Sequence, residues 1–508
     1  MLAVMPRMTL GRERALVMAL AATLVVARAA LFLIWEQAAF DSDQAVVGLM
    51  ATHLAEGRAF PLFFYGQNYL LAVEAWMAAP LFWLAGPSVA LLKLPLLAVN
   101  IATALLLVHL LERAMGLRPA LAGVAALFFI TASPGIANQL MTALGVSVEP
   151  FLYVLLIWAL RHRPVWQGLV LGIGFLHREF TAYAFAAYVL VSVMDRSLFS
   201  KKRIAETGIA IGTAVVAIAT IWWLRPFSSA LGPGTSYEEV YGASNNLASL
   251  AARVCGEPGL ILQGLGVLFG SYLGYLFGLT PVGLSDFWIN SRLTEGLTWG
   301  WPVFGLLCLA GLGRVAWLLL RARGASAPRD LAFGAYLFAV GIIAILAYDV
   351  GRCGELHVLT VRYVLLGVLA AVGLYAVWLR VEPRADVRRT VAGLVILWAC
   401  WSLWGHARLW HEYLVDTPPS YRRAVADYLV SHQLRYARAE YWTAYHVTFL
   451  ARERAILDVT EGVRRIVAYQ TRVDAAGDAA VLVSRRPCED GRGVAVVPDV
   501  YWVCGSVP

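Results

Sequence analysis

The chain has 508 residues, of which 60% are hydrophobic and 15% charged, with 18 Trp, 21 Tyr and a mean hydropathy of +0.67. That composition excludes a soluble globular domain and a disordered chain, and points to an α-helical polytopic membrane protein in contact with membrane lipids. The net charge of +8 sits in short clusters between apolar runs, a membrane-orientation signal, and gives no reason to expect a nucleic-acid partner.

Residues 15–34 (ALVMALAATLVVARAALFLI) follow Arg7, Arg12 and Arg14 and are long enough to cross the hydrocarbon. Ala27-Arg28-Ala29 resembles a signal-peptide cleavage site, but the apolar run continues to Trp35, which favours an uncleaved anchor. Further spans are expected at 88–111, 119–140, 149–162, 165–176, 180–195, 204–226, 299–320, 330–350, 361–380 and 390–409, about 11 crossings in all. This arrangement puts 18 basic residues on one side, in clusters around residues 7–14, 113–118, 161–163, 196–203, 321–329 and 380–389. The intervening loops on the other side carry 7: Arg58, Arg178, Arg225, Arg253, Arg292, Arg352 and Arg362. The N-terminus is therefore expected in the cytoplasm and the C-terminal tail outside an inner or plasma membrane. Segments 70–84 and 259–280 would put a basic cluster on the wrong side if either crossed once. Both are read as lying on the outer face or dipping in and returning. The spans between 149 and 195 are short, which predicts helices tilted or broken against protein.

After Leu409 the apolar runs shorten and charges become frequent, so the chain divides into a membrane domain (1–409) and a small α/β extracytoplasmic domain (410–508). YRRAVADYLVSHQL reads as a helix, while AVLVSRR and GVAVVPDVYWVC read as strands. Cys308 and Cys400 fall in spans, whereas Cys255, Cys353, Cys488 and Cys504 fall outside, in an oxidising compartment. Cys488 and Cys504 flank a turn-forming EDGRG and are expected to pair; Cys255 with Cys353 is the weaker second pair.

The first external loop, 35–87, holds the chemistry. In FDSDQAVVGLMATHLAEG, apolar residues at 46, 47, 50 and 54 mark an amphipathic helix stopped near Gly57. Asp41 followed by Gln44 is a capping-box spacing, which leaves Asp43 free in the first turn. His53 follows, then Tyr65, Gln67, Asn68 and Tyr69 in FFYGQNY, then Glu74 in an apolar helix. On the same side lie Glu149, the His177-Arg178-Glu179 turn, Arg352, His357 and Arg362-Tyr363. Capping, snorkelling and interfacial ion pairs account for any one of these residues. Ionisable groups converging at one membrane boundary more often mark a site or pathway.

FDSDQAVVGLMATHLAEGRAFPLFFYGQNYL, with its Glu-containing helix, VRYVLL near the end of the membrane region, and Tyr441 with WTAYHVTFL in the tail, resembles the GT-C fold glycosyltransferases. The nearest branch is the bacterial set related to protein O-mannosyltransferases and aminoarabinose transferases. The resemblance covers roughly 10–410 and implies transfer of a sugar from a polyprenyl-phosphate carrier to an extracytoplasmic lipid, glycan or protein acceptor. It places the acidic motif at Asp43-Gln44, where the family commonly has Asp-Glu, and so implies Asp43 as catalytic base, with Asp41 beside it. Arg362, Arg178 and Arg352, with Tyr363, are the candidates for the donor phosphate, because guanidinium matches phosphate oxygens bidentately. His53, Tyr65, Gln67, Tyr69, Glu74, Glu149, His177 and Glu179 are candidate substrate contacts. Too few carboxylates converge to support a divalent cation, and no cofactor is implied. A transporter or export protein for a lipid-linked or glycan substrate is the alternative. It predicts repeated halves with broken helices near midplane, and none is apparent.

Overall fold

The computed structural model describes residues 9–67, 70–145, 147–229, 254–297, 300–321, 329–352, 358–488 and 493–505. Among them, six helices are long and apolar enough to cross a membrane: Val89–Met115, Lys201–Phe227, Pro258–Leu276, Ala332–Gly351, Thr360–Val381 and Ala385–Val415. Shorter apolar helices, including Val73–Ala85, Pro119–Ile130, Glu149–Ala159 and Phe180–Met194, pack among them. The chain is a multi-pass membrane protein.

The spans differ from the sequence expectation in two places. Segment 119–140 is not one helix. It stops at Ile130 and restarts as Pro134–Gln139, because Ser133 precedes a proline and takes an extended ψ of 160°. Segment 259–280, expected to lie on the outer face or dip in and return, holds a continuous helix, Pro258–Leu276, carrying a π-helical turn at Leu268–Tyr272, and by length and composition this helix qualifies as a span. The helices Glu149–Ala159, Pro164–His177 and Phe180–Met194 are as short as expected.

Basic clusters assigned to one side pair with one another. Arg14 Nε donates to Glu112 at 2.8 Å and Arg118 to Glu13 at 3.1 Å. Arg203 donates to the Arg161 carbonyl at 2.8 Å, and Arg380 to Asp330 at 2.8 Å.

The helix Ala385–Val415 runs past residue 409, and Pro418-Pro419 then leads into the C-terminal unit. This unit has helices Tyr421–Ser431, Tyr441–Leu450 and Val467–Ala476 around a five-stranded mixed sheet. The sheet order is 456–459, 436–439, 481–484, 501–504, 494–497, with the first three strands parallel and the last two added antiparallel. Cys488 and Cys504 are disulfide-bonded with Cα atoms 5.6 Å apart, while Cys308 and Cys400 are free thiols. Cys353 lies outside the described residues.

The first external loop is clamped between the two parts. Its helix, Ser42–Ala55, buries Ser42 and every residue from Gln44 to His53, so it is not amphipathic but enclosed all round. One face meets Val73–Ala85 and the other meets Tyr441–Leu450, where the Phe449 ring rests on Gly48. Any side chain at Gly48 would displace that ring. Glu36 and Arg423 fasten the entry to the loop, with the two Arg423–Glu36 bonds at 2.7 and 2.6 Å.

Candidate active site

Asp41 caps the Ser42–Ala55 helix: its backbone is extended and its Oδ1 accepts the Gln44 N–H at 2.9 Å. The reciprocal half of the capping box does not form. Instead Gln44 Nε2 donates to the Ala39 carbonyl and Gln44 Oε1 accepts the Ala143 N–H, both at 3.2 Å. A glutamine supplies the donor and acceptor that this bridge needs, and an ionised glutamate supplies only acceptors. Asp41 is buried, and that desolvation, with Asp43 adjacent, holds its carboxyl up to about 6 against the Gln44 N–H and Arg362, which pull it down.

Asp43 does not stand free. The Tyr441 hydroxyl, 398 residues away in sequence, donates to its Oδ1, and Arg465 Nε donates to the Tyr441 oxygen at 3.4 Å. Burial, and then the Asp43 charge, keep the Tyr441 hydroxyl protonated well above the usual phenol range. Arg465 also lies 5.1 Å from the centroid of the Phe64 ring.

Arg362 faces the acidic pair. It lies in the 3-10 segment Val358–Gly367, attracts both Asp43 and Asp41, and lines one small cavity with Asp41, Gln44, Asn138 and Gln139. Its Nη2 donates to the Tyr363 hydroxyl at 3.4 Å, while its Nε is buried with no partner among the described residues. Lys93, which sequence reasoning passed over, is fully buried on the other side of Asp41. Its Nζ donates to the Ala39 carbonyl at 2.7 Å and feels the Asp41 charge. A lysine inside VALLKLPLL was itself a signal.

Glu74, Glu149 and His177 come together as a second, buried group. His177 Nε2 lies 3.2 Å from Glu74, His177 Nδ1 bonds the Tyr153 hydroxyl at 3.0 Å, and Ser147 donates to Glu149 at 2.9 Å. The Ala143–Gly145 stretch links this group to Gln44. Gly145 has φ +69° and passes so close to His177 that a Cβ would sit 2.8 Å from Nε2, so only glycine fits. Arg178, next to this cluster, has a buried Nε without a partner among the described residues, and Glu179 is exposed.

His53 and Tyr65 fall elsewhere. His53 Nδ1 bonds the Tyr65 hydroxyl at 3.0 Å, and Nε2 lies 3.3 Å from Glu453 and 3.2 Å from the Tyr469 hydroxyl. Burial holds the His53 imidazole below its usual range despite Glu453, so the contact is a hydrogen bond rather than an ion pair. The network fastens the C-terminal unit to the loop and lines neither cavity beside Asp41. Gln67 turns back onto the Phe64 carbonyl at 3.0 Å. Asn68, Tyr69, His357 and the Arg352 side chain lie outside the described residues. Among the described residues, no group of three or more His, Cys, Asp or Glu side chains is placed to hold a metal ion.

No family model matches the chain, and no curated protein does. Solved structures do. The oligosaccharyltransferase of Archaeoglobus fulgidus in its apo form superposes with a TM-score of 0.52 at 13% identity, covering 93% of this chain and 69% of that one. ArnT from Cupriavidus metallidurans bound to undecaprenyl phosphate superposes with a TM-score of 0.57 at 12% identity, covering 96% and 97%. The chain has the GT-C fold. At these identities the likeness establishes the GT-C architecture alone. Tyr441, Arg465 and Lys93 are members of this candidate site that the acidic motif by itself did not disclose. Of the three, only Tyr441 stood in a stretch that resembled the family.

Proposed function

We propose that the protein is an inverting glycosyltransferase that takes a sugar from a polyprenyl-phosphate carrier and attaches it to an acceptor outside the cytoplasm. The observation that carries this reading is Arg362, a guanidinium whose buried Nε has no partner among the described residues, sharing a cavity with Asp41 and attracted to Asp43. A cation so buried needs an anion, and a lipid phosphate is one that reaches this depth. The fold shared with ArnT, whose structure holds undecaprenyl phosphate, supports the same assignment.

In this mechanism the Asp43 carboxylate takes the proton of the acceptor hydroxyl as its oxygen attacks the anomeric carbon from the face opposite the phosphate. The bond from anomeric carbon to phosphate oxygen breaks through an oxocarbenium-like transition state, and polyprenyl phosphate leaves with one more negative charge. Arg362 stabilises that charge through contacts that strengthen as it develops. Tyr441 is a positioning residue. By occupying Oδ1 it fixes the plane of the Asp43 carboxylate and leaves Oδ2 for the acceptor proton. Asp41 caps the helix and balances Arg362. Arg178, Glu74, Glu149 and His177 form the next group along the same boundary, and we assign them to the sugar side of the donor.

The test is release of polyprenyl phosphate from a panel of polyprenyl-phosphate sugars by the purified protein in nanodiscs. Asp43→Asn is expected to lower turnover by about 100-fold or more while leaving donor binding intact. Asp41→Asn is expected to cost less, because asparagine also caps well. Near-normal turnover by Asp43→Asn would remove that residue from the mechanism.

A further inference from the structure

Beside the acidic pair lies a second, larger cavity of about 680 Å³, between the start of the first external loop, residues 285–290 and the C-terminal unit. Asp41 and Trp288 line both this cavity and the smaller one that holds Arg362, so the two adjoin at these residues. Three features set the larger one apart. Its rim carries three large aromatic side chains left part-open, Trp288, Trp442 and Tyr421, at 38%, 37% and 38% exposure. Trp288 and Trp442 meet edge-on with centroids 4.9 Å apart, which leaves ring face unstacked. Its wall carries polar atoms that nothing in the described residues satisfies: His446 Nδ1, on a side chain only 4% exposed, and Arg422 Nε. Three of its residues, Trp288, Asn290 and Asp499, hold left-handed backbone with φ of 60°, 56° and 59°. Non-glycine residues adopt that conformation at a cost, and it concentrates where side chains must be aimed.

We propose that this groove is the acceptor site and that the acceptor is a saccharide. The inference rests on the transferase reading and goes beyond it by naming the acceptor class. A pyranose ring has an apolar C–H face that packs on the negative face of an aromatic ring, and equatorial hydroxyls that need donors and acceptors around its edge. Part-open Trp and Tyr rings with unpartnered Arg and His nitrogens beside them supply both. A lipid acceptor calls for an apolar channel, and this groove has Arg422, Arg485, Asn290 and Asp499 in its lining. A peptide acceptor adding as a strand calls for a free sheet edge. The groove meets the sheet at Asp499–Tyr501, the turn leading into an interior strand. A sugar stacked on Trp442 and held by Arg422 and His446 presents a hydroxyl toward the part of the groove that Asp41 lines, two residues from Asp43 in the same helix start.

Saturation-transfer NMR on the full chain in lipid nanodiscs tests this. The probes are methyl pyranosides of glucose, galactose, mannose, N-acetylglucosamine and glucuronic acid, with a serine-containing peptide and phosphatidylglycerol as competitors. At least one glycoside is expected to show saturation at its ring protons, with affinity about tenfold weaker in Trp442→Ala. It should be unchanged in Trp83→Ala, an exposed tryptophan on another helix. Binding of undecaprenyl phosphate, measured on the same samples, reports folding and the donor site independently. If Trp442→Ala loses that as well, Arg422→Gln at the groove wall decides in its place. No glycoside signal in the wild type, a signal indifferent to Trp442→Ala and Arg422→Gln, or displacement by the peptide or the phospholipid overturns the saccharide assignment. If undecaprenyl phosphate binds in those cases, the transferase reading stands without it; if undecaprenyl phosphate does not bind at all, the transferase reading itself fails.

Discussion

In the proposed mechanism Arg362 and Asp43 act on opposite sides of the reaction, and their substitutions are expected to separate by kinetics. Arg362→Ala is expected to raise KM for the polyprenyl-phosphate donor and to lower kcat, because the cation serves both donor binding and leaving-group charge. Arg362→Lys should recover only part of the loss, since an ammonium lacks the planar fork that meets two phosphate oxygens. Steady-state kinetics on purified variants checks both, and unchanged KM and kcat in Arg362→Ala would remove it from the site. At this scale, what could be read from the sequence was local. The Asp41 cap follows from a three-residue spacing, and it is present. The partners of Asp43 could not be read, because Tyr441 and Arg465 reach it only through the docking of a separate unit. His53 misled for a related reason. Ten residues along a helix at about 1.5 Å each place it roughly 15 Å from Asp43, so nearness in sequence put it in the wrong cluster.

The Ser42–Ala55 helix holds its place through both ends, and the distal end has a titratable anchor. Glu453 accepts from Arg58 at 3.1 Å and from Tyr469 at 2.8 Å, with His53 at 3.3 Å. Although burial works the other way, the hydrogen bonds from His53 and Arg58 hold its carboxyl well below the usual range. A depressed carboxylate contributes stability that is present above its unfolded value and lost as pH falls toward its folded one. Glu453→Gln is therefore expected to destabilise docking of the C-terminal unit by about 2 kcal/mol at pH 7. The gap to wild type should narrow as pH falls below the ordinary glutamate value of 4.5. Thermal unfolding across pH measures it, and a gap independent of pH would show that the carboxylate charge is not what anchors the helix. The amphipathic reading of Ser42–Ala55 failed because only one of its covers, Val73–Ala85, is near in sequence. The other, Tyr441–Leu450, comes from the far end of the chain.

Across the whole molecule, the charge pattern and the fold agree. Basic clusters separated by long stretches of sequence pair among themselves, while Asp41, Asp43, Arg362 and the C-terminal unit gather together. An orientation could be read from the sequence because that reading needs only the order of clusters and spans. Helix breaks resisted it, since a break such as that at Thr131 depends on one proline and on neighbouring helices to satisfy the freed backbone. The most direct measurement is the position of the donor phosphate. A cryo-EM map of the full chain in nanodiscs with undecaprenyl phosphate is predicted to show the phosphate within hydrogen-bond reach of Arg362, in the cavity it shares with Asp41, on the Asp43 side. Phosphate density anywhere else on the protein, or none where Arg362 points, would contradict the account.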